Sequence, residues 1–252
     1  MKLFTKQTLN DFKIIKDIQL ILAQIILYSN PQKISTNKAY GITTGMISTL
    51  AEELDLSITK FPKDKLTKLI KNKKQYILEV LDFYEKNNIW FFPIYLSPKT
   101  SNTCINFAFR IINKYSNYNF DSNSLNNSIH NNFEKNFYKY ISTLKTSNIL
   151  IEISSLKNSQ PGDIILYQPS ELKYNHIGLI FNTNYEILSK FGKGFLHLTP
   201  YNNHYFTGKI KIFRLNDQSY YNNFKTKFIP IIERLKMTKQ DILTLIEKLE
   251  NS

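Results

Sequence analysis

From residue 149 to about 215 the apolar residues of this chain change period from that of a helix to that of a strand, which limits this stretch to sheet. "ILIEI" (149–153), "DIILYQ" (163–168), "HIGLIFN" (176–182), "YEILSKF" (185–191) and "KIKIFRL" (209–215) all read as strands. Glycine placement agrees. Five of the seven glycines (Gly162, Gly178, Gly192, Gly194 and Gly208) fall between 162 and 208, and the first 95 residues hold only Gly41 and Gly45. Glycine interrupts helices and serves tight turns, so the asymmetry predicts helices first and strands later. "NTN" (182–184) supplies the turn of a hairpin between the third and fourth strands.

The helical half is punctuated by caps and prolines. Thr8 with Asp11 resembles a capping box opening a helix to about residue 28, and 29–45 reads as loop. Helices follow at 46–54 and 63–87, the latter with Pro62 in its first turn. "IWFFPIYLS" (89–97) is a strand or an apolar connector, with Pro93 marking an edge or a break. A helix over 104–115, a polar loop over 116–132 and a helix over 133–145 come next. A helical tail covers about 220–250, with Thr238 preceding "KQDILTLIEKLE". No internal repeat is found. The order is a helical segment, a helix, an antiparallel meander and closing helices, which is an α+β layout. Three parts are expected: residues 1–95, 96–215 and 216–252.

Composition bounds the partners. The 252 residues, 42% apolar and 14% aromatic, suit one large globular domain or two small ones and argue against wholesale disorder. A net charge of +13 favours acidic partners: nucleic acid, an anionic membrane surface or a polyanionic polymer. The densest lysine run, "FPKDKLTKLIKNKKQY" (61–76), reads as a solvated helix face. The most apolar stretch, "IQLILAQIILY", is 11 residues long and contains Gln19 and Gln24, whereas a spanning helix needs about 20 apolar residues. With Asp11 and Asp17 upstream and no small-residue cleavage site after it, it fits a signal peptide poorly. The expectation is a chain that is cytoplasmic, or exported without a cleaved signal peptide, and that has no membrane span.

One cysteine, Cys104, excludes an intrachain disulfide framework. It stands at the predicted start of the 104–115 helix, where the positive end of the helix dipole and free N–H groups would favour a thiolate. Its own N–H and a neighbouring donor could serve as an oxyanion hole. Of four histidines, His176 opens a strand directly after the loop "PSELKY", downstream of the Pro-Gly-Asp turn in "QPGDIILY" (160–167). Alternation puts His176, Gly178 and Ile180 on one face, with Gly178 leaving that face open beside the imidazole as a cleft would need.

These residues reach a family resemblance. "TCINFAF", then "QPGDIILY", then "NHIGLIFN" resembles the NlpC-type and CHAP-type papain-like cysteine hydrolases, over about residues 98–215. The resemblance implies a papain-like helix-plus-antiparallel-sheet domain, with Cys104 as nucleophile, His176 as general base and the "PGD" strand structural. It implies cleavage of an amide bond, peptide or isopeptide, through a thioacyl-enzyme, with a peptidoglycan peptide or a host protein as substrate. These families orient the imidazole with a polar residue on the next strand. Pairing around Thr183–Asn184 sets Ile180 opposite Ile187 and Gly178 opposite Ser189, which brings Ser189 onto the His176 face. Glu186 is the second choice, on the other face by parity. His197 is a further polar candidate at the sheet end. His130 reads as solvent-facing and His204 as a turn residue. No cofactor is expected, no metal-ligand spacing appears, and "YGITTG" (40–45) lacks the Lys-Ser/Thr end of a phosphate loop. Two other readings remain open at this stage: an inactive papain-like binding module in which 1–95 holds a partner, and a basic nucleic-acid-associated protein.

Overall fold

The computed structural model describes residues 63–86, 88, 90, 104–121, 139–168, 176–191, 195–203, 209–236 and 238–251. The capping box at Thr8, the helices expected over 8–28 and 46–54, and all of 89–97 except Trp90 lie outside the described residues, as do His130 and His204. The named elements are α1 (Lys63–Lys86), α2 (Cys104–Tyr115), β1 (Leu150–Ile153), β2 (Ile164–Gln168), β3 (His176–Ile180), β4 (Glu186–Phe191), β5 (Phe195–Pro200), β6 (Lys209–Leu215), α3 (Gln218–Asn223), α4 (Ile229–Leu235) and α5 (Lys239–Glu250). Residues 139–146 are also helical. The class is α+β with an antiparallel sheet. The chain divides into two compact units, one of Met1–Thr100, Lys193–Thr199 and Ile231–Ser252, the other of Ser101–Gly192 and Pro200–Pro230.

In the first unit α1 and α5 pack together. Ile70, Ile77 and Leu81 form the buried stripe of α1, and Ile242 and Ile246 that of α5. Ion pairs flank the stripes: Lys74 to Glu250 at 2.8 Å, and Lys239 to Asp82 at 2.5 Å and to Glu85 at 3.3 Å. Thr238 caps α5 as its sequence indicates. Its Oγ1 accepts from the N–H of Asp241 at 3.2 Å, and its own N–H donates to the Asp241 carboxylate at 2.8 Å. Strand β5 is absent from the sequence reading. Its pairing with Trp90, whose N–H donates to the Leu198 carbonyl at 3.0 Å, joins positions far apart in the chain that no local pattern connects.

In the second unit five strands neighbour one another in the order β1-β6-β2-β3-β4. The expected simple meander therefore holds only for β2, β3 and β4. β6 returns to lie between β1 and β2, matching Ile212 with Ile153 on one side and with Ile165 on the other. The turn around Leu156–Asn158 and the Pro-Gly-Asp corner carry the chain from β1 past the place that β6 takes.

That corner explains its residues. Gly162 has φ +99°, which a side chain resists, and a Cβ there would meet the rings of Tyr220 at 3.1 Å and Tyr221 at 3.2 Å. Its N–H donates to the Ile180 carbonyl at 2.7 Å. Asp163 is fully buried and accepts from the Gln160 N–H, from Arg214 and from the Tyr221 hydroxyl. The motif thus ties β2 to β3, β6 and α3.

Helix α2 is apolar nearly all round, and Ile105, Phe107, Ala108, Phe109, Ile111 and Ile112 are all buried. A helix of that kind belongs between layers. It packs on β3 and β4 and on α3. Phe109 meets Phe120 and Tyr140 edge-on, the latter from helical residues 139–146. The C-terminal residues form several helices, in line with the closing helices expected there. Asp217 caps α3 through the N–H groups of Ser219 and Tyr220, a π-helical turn covers Phe224–Phe228, and the helix stops before Thr238. Pro230 accounts for the π turn, because its ring clashes with the carbonyl four residues earlier unless the helix widens there.

Candidate active site around Cys104

Cys104 is the first residue of α2, where the sequence places it. It is half-buried. Burial of the sulfur pushes the thiol above its ordinary value. The backbone N–H groups of Ile177, Ile105 and Cys104 itself, and the positive charge of Lys190, pull the other way. Two of those N–H groups belong to the first turn of α2, as the helix-terminus argument requires. The third belongs to β3. The sulfur therefore meets β3 at Ile177, the residue directly after His176.

His176 is the first residue of β3 and is 3% exposed. The observed β3–β4 register pairs Gly178 with Ser189 and Ile180 with Ile187, the pairing expected from the short turn. Asn182 closes that turn. Its side-chain oxygen accepts from the N–H groups of Asn184 and Glu186, and Tyr185 takes the left-handed conformation with φ +56°. His176, Gly178 and Ser189 thus share one sheet face, together with Tyr167 and Ile165 of β2. The Tyr167 ring lies 6.4 Å from that of His176. Glu186 falls on the opposite face and accepts from the Asn182 amide at 2.5 Å. His197 lies in β5, with its side chain outside the described residues.

Gly178 does not open a cleft. A Cβ there would lie 2.7 Å from Ile187 Cγ2, 3.1 Å from the Leu188 carbonyl oxygen and 3.2 Å from Ser189 Cβ. The glycine permits close packing beside the histidine, which corrects the expectation of an open face. Sequence reasoning also passed over Lys190. It is a lysine in β4 that is only 1% exposed, and burial brings its ammonium down to about 7, against the opposing pull of Cys104. The signal was its parity: in "YEILSKF" it takes the face opposite Ser189.

Among the described residues no group of three or more His, Cys, Asp or Glu could hold a metal ion, and no helix is long and apolar enough to cross a membrane. Comparison of the chain with protein-family models, with curated proteins and with solved structures finds no match in any of the three.

Proposed function

We propose that the chain is a papain-like cysteine hydrolase that cleaves an amide bond through a thioacyl-enzyme. The observation that carries this reading is the meeting of the Cys104 sulfur, at the head of α2, with the N–H of Ile177 beside His176. Cys104 attacks the carbonyl carbon, forming a C–S bond and an oxyanion that backbone N–H groups at the head of α2 would stabilise. His176 is the general base of this reading and returns the proton to the leaving amine as the C–N bond breaks. Water then hydrolyses the thioester and frees the thiol. Ser189, on the His176 face, is the residue proposed to orient the imidazole, with Glu186 second. The substrate class is a peptide or isopeptide, of peptidoglycan or of a host protein reached by delivery. The +13 charge would help it adhere to an anionic polymer.

The test is a mass measurement after exposure to a cysteine-reactive amide-warhead probe. Stoichiometric labelling of the wild type, lost in Cys104→Ala and slowed at least tenfold in His176→Ala, supports the reading. Labelling indifferent to His176 removes the dyad. A second reading has an observation of its own: the thiol is raised by burial, as an inert thiol in a non-catalytic papain-like binding module would be. An unlabelled wild type, with Cys104→Ala less stable than the wild type, would favour that module.

A further inference from the structure

We infer that Tyr167 is a positioning residue for His176, its ring packed against the imidazole so that the base keeps one orientation. The inference rests on the reading of His176 as the base of a cysteine hydrolase. It adds a residue that neither the motif order nor the family resemblance supplies.

The placement follows from the β2–β3 ladder. Tyr167 pairs directly with His176, and Ile165 with Gly178. Residues opposite each other on antiparallel strands project to the same face, with Cβ atoms about 4.5–5.5 Å apart. The two rings accordingly lie 6.4 Å apart at an interplanar angle of 37°. That distance is within the range of about 4.5–7 Å over which such rings attract. Both side chains are buried, Tyr167 at 1% exposure and His176 at 3%. Ser189, paired with Gly178, lies diagonally from His176 on the β4 side. The histidine thus has a neighbour on its own face from each flanking strand.

Tyr167 is itself braced. Tyr201, half-buried in the turn Tyr201–Asn203 that follows β5, stacks on the Tyr167 ring at 6.5 Å and 25°. The Tyr201 N–H donates to the Tyr185 carbonyl at 2.9 Å, which ties that turn to the β3–β4 hairpin. Burial first, and Tyr201 second, raise the Tyr167 phenol well above its ordinary value. The phenol therefore keeps its proton and does not compete with His176 as a base.

The torsion that turns an imidazole about its Cβ–Cγ bond is broad, so strand position alone leaves the plane of the ring open. A hydrogen bond to one ring nitrogen, the part proposed for Ser189, still lets the ring swing about that bond. A second ring packed against the imidazole removes the swing. Misplacing a catalytic group by about 1 Å can cost about a hundredfold in rate. The ring of Tyr167 carries this role, and its hydroxyl does not.

The experiment is saturable labelling of Cys104, the one cysteine, by the amide-warhead probe in the full chain. Tyr167→Leu should lower the rate at saturating probe about tenfold and leave the half-saturating concentration within about twofold. Tyr167→Phe, which keeps the ring, should stay within about threefold of the wild type. In a His176→Ala background Tyr167→Leu should change the rate by less than about twofold, because the residue acts through the histidine. A Tyr167→Leu rate equal to the wild type, or an equal loss in both backgrounds, overturns the inference. If Tyr167→Leu does not fold, Tyr201→Leu at the half-buried ring replaces it. A loss of about threefold that needs His176 supports the row of rings, and no loss overturns it. Should wild-type labelling prove indifferent to His176, the hydrolase reading falls and the imidazole proton resonance of His176, assigned by its absence in His176→Ala, decides alone. A single sharp line in the wild type that doubles or broadens in Tyr167→Leu keeps the positioning role, and an unchanged line shape removes it.

Discussion

Gly178 and Ser189 face each other across the β3–β4 ladder with no space for a methyl group between them. The pair joins the strand that carries His176 to the one that carries Lys190, so its spacing holds both side chains where they stand.

Gly178→Ala is expected to destabilise the fold by about 1–3 kcal/mol, the usual cost of overpacking. The added Cβ would overlap Ile187 Cγ2 at 2.7 Å and press on the Leu188 carbonyl at 3.1 Å. A side-chain methyl can rotate away, but strand backbone cannot. Urea unfolding measures the change, and a midpoint within error of the wild type would contradict the packing described.

Asp163→Ala removes a fully buried carboxylate that holds Arg214 at 2.8 Å and the Tyr221 hydroxyl at 2.9 Å. Arg214, left alone, is part exposed and can reach water, so the expected cost is about 1–3 kcal/mol, mainly from the buried Tyr221 hydroxyl losing its acceptor. The same carboxylate raises the Arg214 guanidinium further above its ordinary value. Thermal and denaturant melts test this, and a loss below about 1 kcal/mol would show that the corner is held by other contacts.

Lys190 predicts a pH dependence with a definite sign. Its folded value of about 7 lies below the ordinary lysine value of about 10.4. Between those two values the unfolded chain holds a proton that the folded chain has released, so this group makes stability rise with pH across that window. Below about 7 both states are protonated and the burial cost is felt in full. Lys190→Met should therefore be more stable than the wild type at pH 6, by an amount on the order of a few kcal/mol, with the advantage shrinking by pH 9 to 10. Urea midpoints at both pH values report it. An advantage equal at the two would show that charge is not the cause.

Thr238→Ala deletes one half of the capping box on α5, whose Oγ1 accepts from the Asp241 N–H at 3.2 Å. The expected loss is about 1 kcal/mol. Thr238→Ser should retain most of the stability, since it keeps the acceptor. Equal losses in the two variants would point to the threonine methyl instead.

Much of this protein was legible in its own residues. The start of α2 at Cys104, the start of β3 at His176, the β3–β4 register and the cap at Thr238 all follow from alternation, turn residues and capping, which act over a few positions. Three features do not. The insertion of β6 between β1 and β2 depends on which distant strand best pairs with both Ile153 and Ile165. The pairing of β5 with Trp90 joins segments about a hundred residues apart. The burial of Lys190 needs β4 to be covered by α2, a helix separated from it by the whole of β1 to β3. Periodicity tells a strand which of its side chains share a face. What each face meets is decided by long-range packing, and so the sequence pointed to His176 while the tertiary structure buried Lys190.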